Sequence, residues 1–208
     1  MSTPSATASP ASGKGAATRE AILARSYALA CVNGLDGLTI GTVADQVGMS
    51  KSGVFAHFGS REELQRATLD YGGELFVHDV LTPALRETRG LARLRAIFAN
   101  WVQWVRHDKD GGCLFLAAAS EYDDRPGAVR DRLLELEAAW RSQLARAIVL
   151  AVDHGELGAD TEPEQMAFEL YALALAIHHD AGLTGYADAA ARGFRAFERL
   201  LASYAPPA

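Results

Sequence analysis

Cysteine is nearly absent: Cys31 and Cys113 are the two in 208 residues, and neither sits in a C-x-x-C pair or a Cys/His cluster. This removes a disulfide scaffold and a cysteine-built zinc site, and both read as reduced structural thiols. No stretch holds the roughly 18 uninterrupted apolar residues of a membrane span, and the N-terminus has no basic-then-apolar signal pattern. A cytoplasmic chain with no membrane partner is expected. No run alternates apolar and polar residues for long enough to make a strand. The motifs H-E-x-x-H, G-x-S-x-G, a Walker loop and a G-x-G-x-x-G after a strand are all missing, and the acids of "EYDDRP" read as a solvated helix end. An enzyme is therefore not expected, and no cofactor. His178, His179 and Asp180 stand side by side, but adjacent helical residues point about 100° apart and no His or Cys lies three or four residues away, so no metal site is expected. A basic excess is lacking too: the net charge is −6, which argues against a nonspecific polyanion binder while leaving a specific one open.

What is there is a chain with 49% apolar residues, enough for a real core in one large or two small domains. Its first stretch, "MSTPSATASPASGKG", is built from small residues, Pro and Gly without apolar periodicity, and residues 1–17 read as a disordered arm. From Thr18 onward the pattern is helical nearly everywhere, and the fold class is all-α. Thr18 caps a first helix with Ile22, Ser26 and Leu29 on one face and Gly34 as its left-handed stop. Thr39 caps a second helix running to about Val47, and Ser50 caps a third through about His57. Ala44 is small where these two approach, Gly48 falls where the turn needs positive φ, and Val54 faces the shared core. Those offsets are what a helix-turn-helix requires. Ser60 with Glu63 forms a capping box for a fourth helix, which Pro83 closes.

From Thr18 to about Leu69 the chain resembles the TetR family of transcriptional repressors. The matching residues are "TREAIL", the Gly34 and Thr39 pair within "NGLDGLT", "VADQVGMSKSGVFAHF" and "SREEL", in the family's order and spacing. The resemblance implies a three-helix DNA-binding domain over 18–62 and a larger helical ligand-binding and dimerisation domain over 63–208. It also implies that Thr39 and Arg61 flank the groove as phosphate contacts. Where the family usually carries tyrosine this chain has Phe55, so a hydroxyl contact to phosphate is missing.

A recognition helix presents its N-terminal residues to base edges in the major groove, and its free N–H groups favour phosphate. Ser50, Lys51, Ser52 and Gly53 lie at that end, with Lys51 able to donate to guanine or phosphate, Ser52 short enough to reach a base edge and Gly53 allowing close approach. Phe55, Ala56 and His57 continue along the DNA side, while Val54 and Phe58 belong to the core. The domain itself is not basic: Arg19, Arg25, Lys51, Arg61 and Arg66 stand against Glu20, Asp36, Asp45, Glu62, Glu63 and Asp70. Few phosphates are neutralised per subunit, so two recognition helices must act together.

Beyond Pro83, Leu94, Phe98, Trp101, Val102 and Val105 share one face, and Leu133, Leu136, Trp140, Leu144 and Ile148 recur at helical spacing. Aromatic residues and small alanines among these helices suit a small-molecule site. Trp101, Trp104, Phe115, Tyr122, Trp140, Tyr171 and His178 are its candidate lining. The last two helices are apolar on more than one face, and Phe168, Leu175, His179, Phe194, Phe197 and Leu201 are the candidate interface of a homodimer packed as a four-helix bundle about a two-fold axis. The expected partners are thus a palindromic operator, a small-molecule inducer and a second copy of the chain. A helix-turn-helix regulator whose C-terminal domain binds a protein, or no ligand, is the alternative.

Overall fold

A computed structural model describes residues 11–106 and 112–207. The described residues are helical with no strand. In chain order the helices are α1 (Ala11–Asn33), α2 (Ile40–Val47), α3 (Lys51–Phe58), α4 (Arg61–Phe76), α5 (Thr82–Ala84), α6 (Leu91–Trp104), α7 (Leu114–Tyr122), α8 (Ala128–Asp153), α9 (Pro163–Thr184) and α10 (Tyr186–Ser203), with a π-helical turn over Val77–Leu81 between α4 and α5. Of the segment expected to be a disordered arm, residues 1–10 lie outside the described residues. From Ala11 the chain is already helical, so α1 starts well before Thr18.

The short helices obey their caps. Thr39 Oγ1 accepts from Thr42 N while Thr42 Oγ1 accepts from Thr39 N, both at 3.0 Å, closing a reciprocal capping box at α2. Ser50 Oγ accepts from Gly53 N at 3.1 Å and starts α3; Ser60 Oγ accepts from Glu63 N at 3.0 Å and starts α4. The expected return bond from Glu63 is replaced by an ion pair with Arg66 at 2.6 Å, so the box at α4 is only half made. Gly48 ends α2 at φ 67°, in the left-handed region, and its N–H returns to Ala44 O. Pro83 does not close the fourth helix as expected. The backbone widens into the π turn, and the N–H that Pro83 lacks would have pointed toward the carbonyls of His78 and Asp79, two exposed residues.

Two apolar cores form. The first joins Ile22, Leu35, Val43, Val54 and Leu64, and it draws in Leu114, Ala118 and Tyr122 from α7 and Val129 and Leu133 from α8. The division expected after residue 62 is therefore no break in packing: α4 runs through it, and α7 lies against α1 and α4. Buried polar groups here are satisfied by backbone, with Ser26 Oγ donating to Ile22 O at 2.8 Å, Thr68 Oγ1 to Leu64 O at 2.7 Å and Gln65 Nε2 to Leu35 O at 2.8 Å. The second core gathers α6, α8, α9 and α10 around Phe98, whose ring stacks on Phe197 at 4.1 Å and 3°. At Gly193 the α10 backbone lies so close to the Ile177 side chain of α9 that no Cβ fits between them.

Two stability predictions follow from this packing. Gly48→Val should cost about 1–3 kcal/mol in denaturant unfolding of the full chain, through backbone strain alone because open space surrounds the site, and Gly48→Asn should cost less. Phe197→Ala should cost about 3–5 kcal/mol by leaving a void beside Phe98, read in the same titration.

Candidate nucleic-acid interface and cavity

Helix α3 has two sides. Val54 and Phe58 are buried, while Lys51, Ser52, Phe55 and Ala56 are exposed, and His57 is half-buried beside the Phe58 ring at 6.3 Å. Ser50 and Ser52 bring their hydroxyls together at 3.0 Å next to the free N–H groups of the first turn. Lys51 folds back along Gly41, where an added Cβ would lie 3.2 Å from its Cε, and it makes no ion pair with any described residue. Phe55, one helical turn further on, is 54% exposed. A large ring left in water on the side of α3 away from Val54 and Phe58 gains no burial from the fold.

Arg61, the implied phosphate contact, is 46% exposed at the start of α4 and reaches the turn between α1 and α2. Its Nε donates to Leu38 O at 2.9 Å, and its Nη2 donates to the Asp36 carbonyl and pairs with Asp36 Oδ1 at 3.0 Å. This guanidinium braces the turn between α1 and α2 through Nε and Nη2, with Nη1 outside these bonds. The same turn is gripped from the other side. Asp36 N donates to Glu121 Oε2 at 2.7 Å, and Arg125 Nη1 stands 3.3 Å from Asp36 Oδ2. The acidic helix end read as solvated is therefore a clamp that fastens α7 to the helix-turn-helix unit.

A cavity of about 530 Å³ opens between α4, α6, α7, α8 and α9. Of the expected lining, Trp101, Phe115, Trp140 and Tyr171 face it. Trp104, Tyr122 and His178 do not. Trp104 packs edge-on to Phe76 at 5.5 Å and against Tyr27 at 6.3 Å; Tyr122 belongs to the first core; His178 lies on a half-buried side of α9 away from the opening. Charged groups that no periodicity flagged complete the wall: Asp70 and Glu74 from α4, and Arg132 and Glu137 from α8. Arg132 is held by Asp70 at 2.5 Å and Glu135 at 2.6 Å. Tyr171 donates its hydroxyl to Glu137 at 2.9 Å, and burial together with the Glu137 charge pushes its pKa well above that of a free phenol, so it stays a donor. The buried thiol of Cys113, also facing the cavity, is pushed up by desolvation and stays neutral. Among the described residues no group of His, Cys, Asp and Glu side chains is disposed to hold a metal ion, and no helix is long and apolar enough to cross a membrane.

The expected dimer face divides. Phe197 and Leu201 are 1% and 4% exposed, consumed by the chain's own core, and cannot contribute surface to a second subunit. Phe194 is half-buried against Phe98 at 5.7 Å. Phe168 and Leu175 remain outside at 57% and 38%, on the α9 face that also carries exposed Ala172, Ala176, His179 and Leu183.

Comparison with known proteins places this arrangement. The family described as bacterial regulatory proteins of the tetR family matches residues 22–68, and the tetracyclin repressor-like C-terminal domain matches residues 90–197. The chain belongs to the TetR family. Similar solved structures include a TetR regulator from Chloroflexus aurantiacus (24% identity, 91% of this chain and 95% of that one, TM-score 0.81) and one from Cytophaga hutchinsonii (23%, 92% and 96%, 0.78). AibR, solved with isovaleryl coenzyme A and operator DNA, is also similar (21%, 91% and 99%, 0.67). Among curated proteins none matches the chain.

Membership in the TetR family makes Lys51 the position to test. Lys51→Ala should weaken operator binding by about 1–3 kcal/mol in a gel-shift or anisotropy titration, with relaxed preference at one base position if it reads guanine. An equal loss on every sequence, with a shallower salt dependence, would make it a phosphate contact instead.

Proposed function

We propose that the protein is a homodimeric repressor that leaves a palindromic operator when a small molecule enters the cavity. The observation that carries this reading is α4. It begins at the Ser60 cap, with only Gly59 between it and the end of the recognition helix, and over a stretch about 15 to 24 Å further on it supplies Asp70, Gly73, Glu74 and Phe76 to the cavity wall. A ligand that displaces that stretch tilts the whole rod and with it the recognition helix. Helix α7 gives a second mechanical connection, with Phe115 and Leu116 at the cavity and Glu121 at the clamp on Asp36. The coupling is a population shift: the ligand favours the state whose paired recognition helices no longer match the half-site spacing. AibR, bound to both an acyl thioester and operator DNA, supports such a reading of the shared fold without specifying this chain's own ligand.

Two recognition helices are needed because a DNA-binding unit with so few free cations attracts phosphate weakly. The α9 stripe of Phe168, Ala172, Leu175, Ala176, His179 and Leu183 is the surface we assign to the second subunit, since these side chains gain burial nowhere else. Selection of bound sequences from a random DNA pool tests the operator reading: an inverted repeat is expected, and the absence of any enriched palindrome would overturn it.

The dimer reading has its own measurement. Phe168→Glu with Leu175→Glu should leave helix content intact, because both positions are outside the core, yet give a monomer in sedimentation with operator affinity lowered about 100-fold or more. A double variant that still sediments as a dimer would place the interface elsewhere.

A further inference from the structure

Carboxylates outnumber cations in the cavity wall, Asp70, Glu74 and Glu137 standing against Arg132 alone. Arg132 is already spent on Asp70 and on Glu135 behind it, which leaves the opposite sign in excess. Glu74 makes no ion pair or hydrogen bond with any described residue. Glu137 is the most enclosed acid, with 17% of its side chain exposed, and its nearest cation, Arg141, stands off at 3.8 Å. Around them the rings meet nearly at right angles, Phe76 with Trp140 at 4.8 Å and 77°, and Trp101 with Trp140 at 4.8 Å and 79°. Rings that line a cavity attract a cation lodged against their faces. The chain itself demonstrates the preference nearby: the Arg141 guanidinium lies 4.2 Å over the Tyr171 ring while reaching for Glu137.

We propose that the ligand of this cavity is a lipophilic cation, an apolar or aromatic body bearing one positive charge. Phe76, Trp101 and Trp140 hold the body, and Glu137 and Glu74 neutralise the charge. The proposal rests on the reading of the cavity as an effector site and adds the chemical class. A volume of about 530 Å³ accommodates a drug-sized body. The indole N–H of Trp140, buried with no partner among the described residues, is free to donate to an acceptor on the same ligand. A phosphorylated or carboxylated ligand would meet like charge at Glu74 and Glu137, with the one cation of the wall, Arg132, already engaged.

Tetraphenylphosphonium and tetraphenylborate share size and shape and differ in the sign of their charge, which makes them the probes. Calorimetric titration of the full chain should give at least about ten-fold tighter binding of the phosphonium, with quenching of tryptophan emission. Glu137→Gln keeps an oxygen for the Tyr171 hydroxyl, and Glu74→Gln alters an exposed residue, so both variants should fold. Each should weaken the phosphonium by about ten-fold and leave the borate no weaker. Equal or tighter binding of the borate, no binding of the phosphonium, or indifference to both variants would overturn the proposal. Phosphonium binding without release of operator DNA would support the ligand class and sink the inducer reading. Release by an anionic or neutral compound, with no phosphonium bound, would do the reverse.

Discussion

One helix belongs to two cores. Leu64 and Leu69 of α4 are sealed into the core of the DNA-binding unit, and Phe76, near the far end of the same rod, is sealed into the core of the larger helical body. Because both ends are buried, the rod cannot slide out of either, and a helix is far stiffer along its axis than the loops around it. Any rearrangement in one body must be carried by the other or be resisted by it. The clamp formed by Glu121, Arg125 and Asp36 adds a second fastening from α7, so the head is held at two points rather than hung from one. The relation between cavity and DNA-binding face depends on this shared packing more than on any single residue in either site.

Almost everything local to the helix-turn-helix was legible in the sequence, because its determinants are short-range. A cap, a left-handed glycine and a small residue at a crossing each act within a few positions, as Thr39, Gly48 and Ala44 do. What escaped the sequence is what depends on residues far apart along the chain. Nothing near Glu121 signals that its carboxylate meets the amide of Asp36, 85 residues earlier. Arg61 sits at the position where the family pattern implies a phosphate contact, yet its guanidinium is engaged by the same distant turn.

The C-terminal half shows the matching weakness of periodicity. A face made of Phe197 and Leu201 is visibly apolar, but apolarity does not say whether the partner is the same chain or another one. Gly193 decides it, since its missing side chain lets α10 settle against Ile177 of α9 and turns that face inward. In the cavity the aromatic wall was legible in four of its residues, Trp101, Phe115, Trp140 and Tyr171, and the acids were not. Asp70, Glu74 and Glu137 look like ordinary charges of solvated helix faces until α4 and α8 bring them to one opening.

The π turn at Val77–Leu81 carries the rod from α4 into α5. One additional residue in a helical turn rotates everything beyond it by about 100° relative to what came before. Phe76, Val80 and Ala84 nevertheless all enter the second core, so contact with it is kept through the turn. Asn100 holds the adjustment in place by donating to Val80 O at 3.0 Å. The chain thus turns toward α5 without letting go of the larger core, and the aim of the DNA-binding unit is left to α4, whose two ends are seated before the surplus residue is reached.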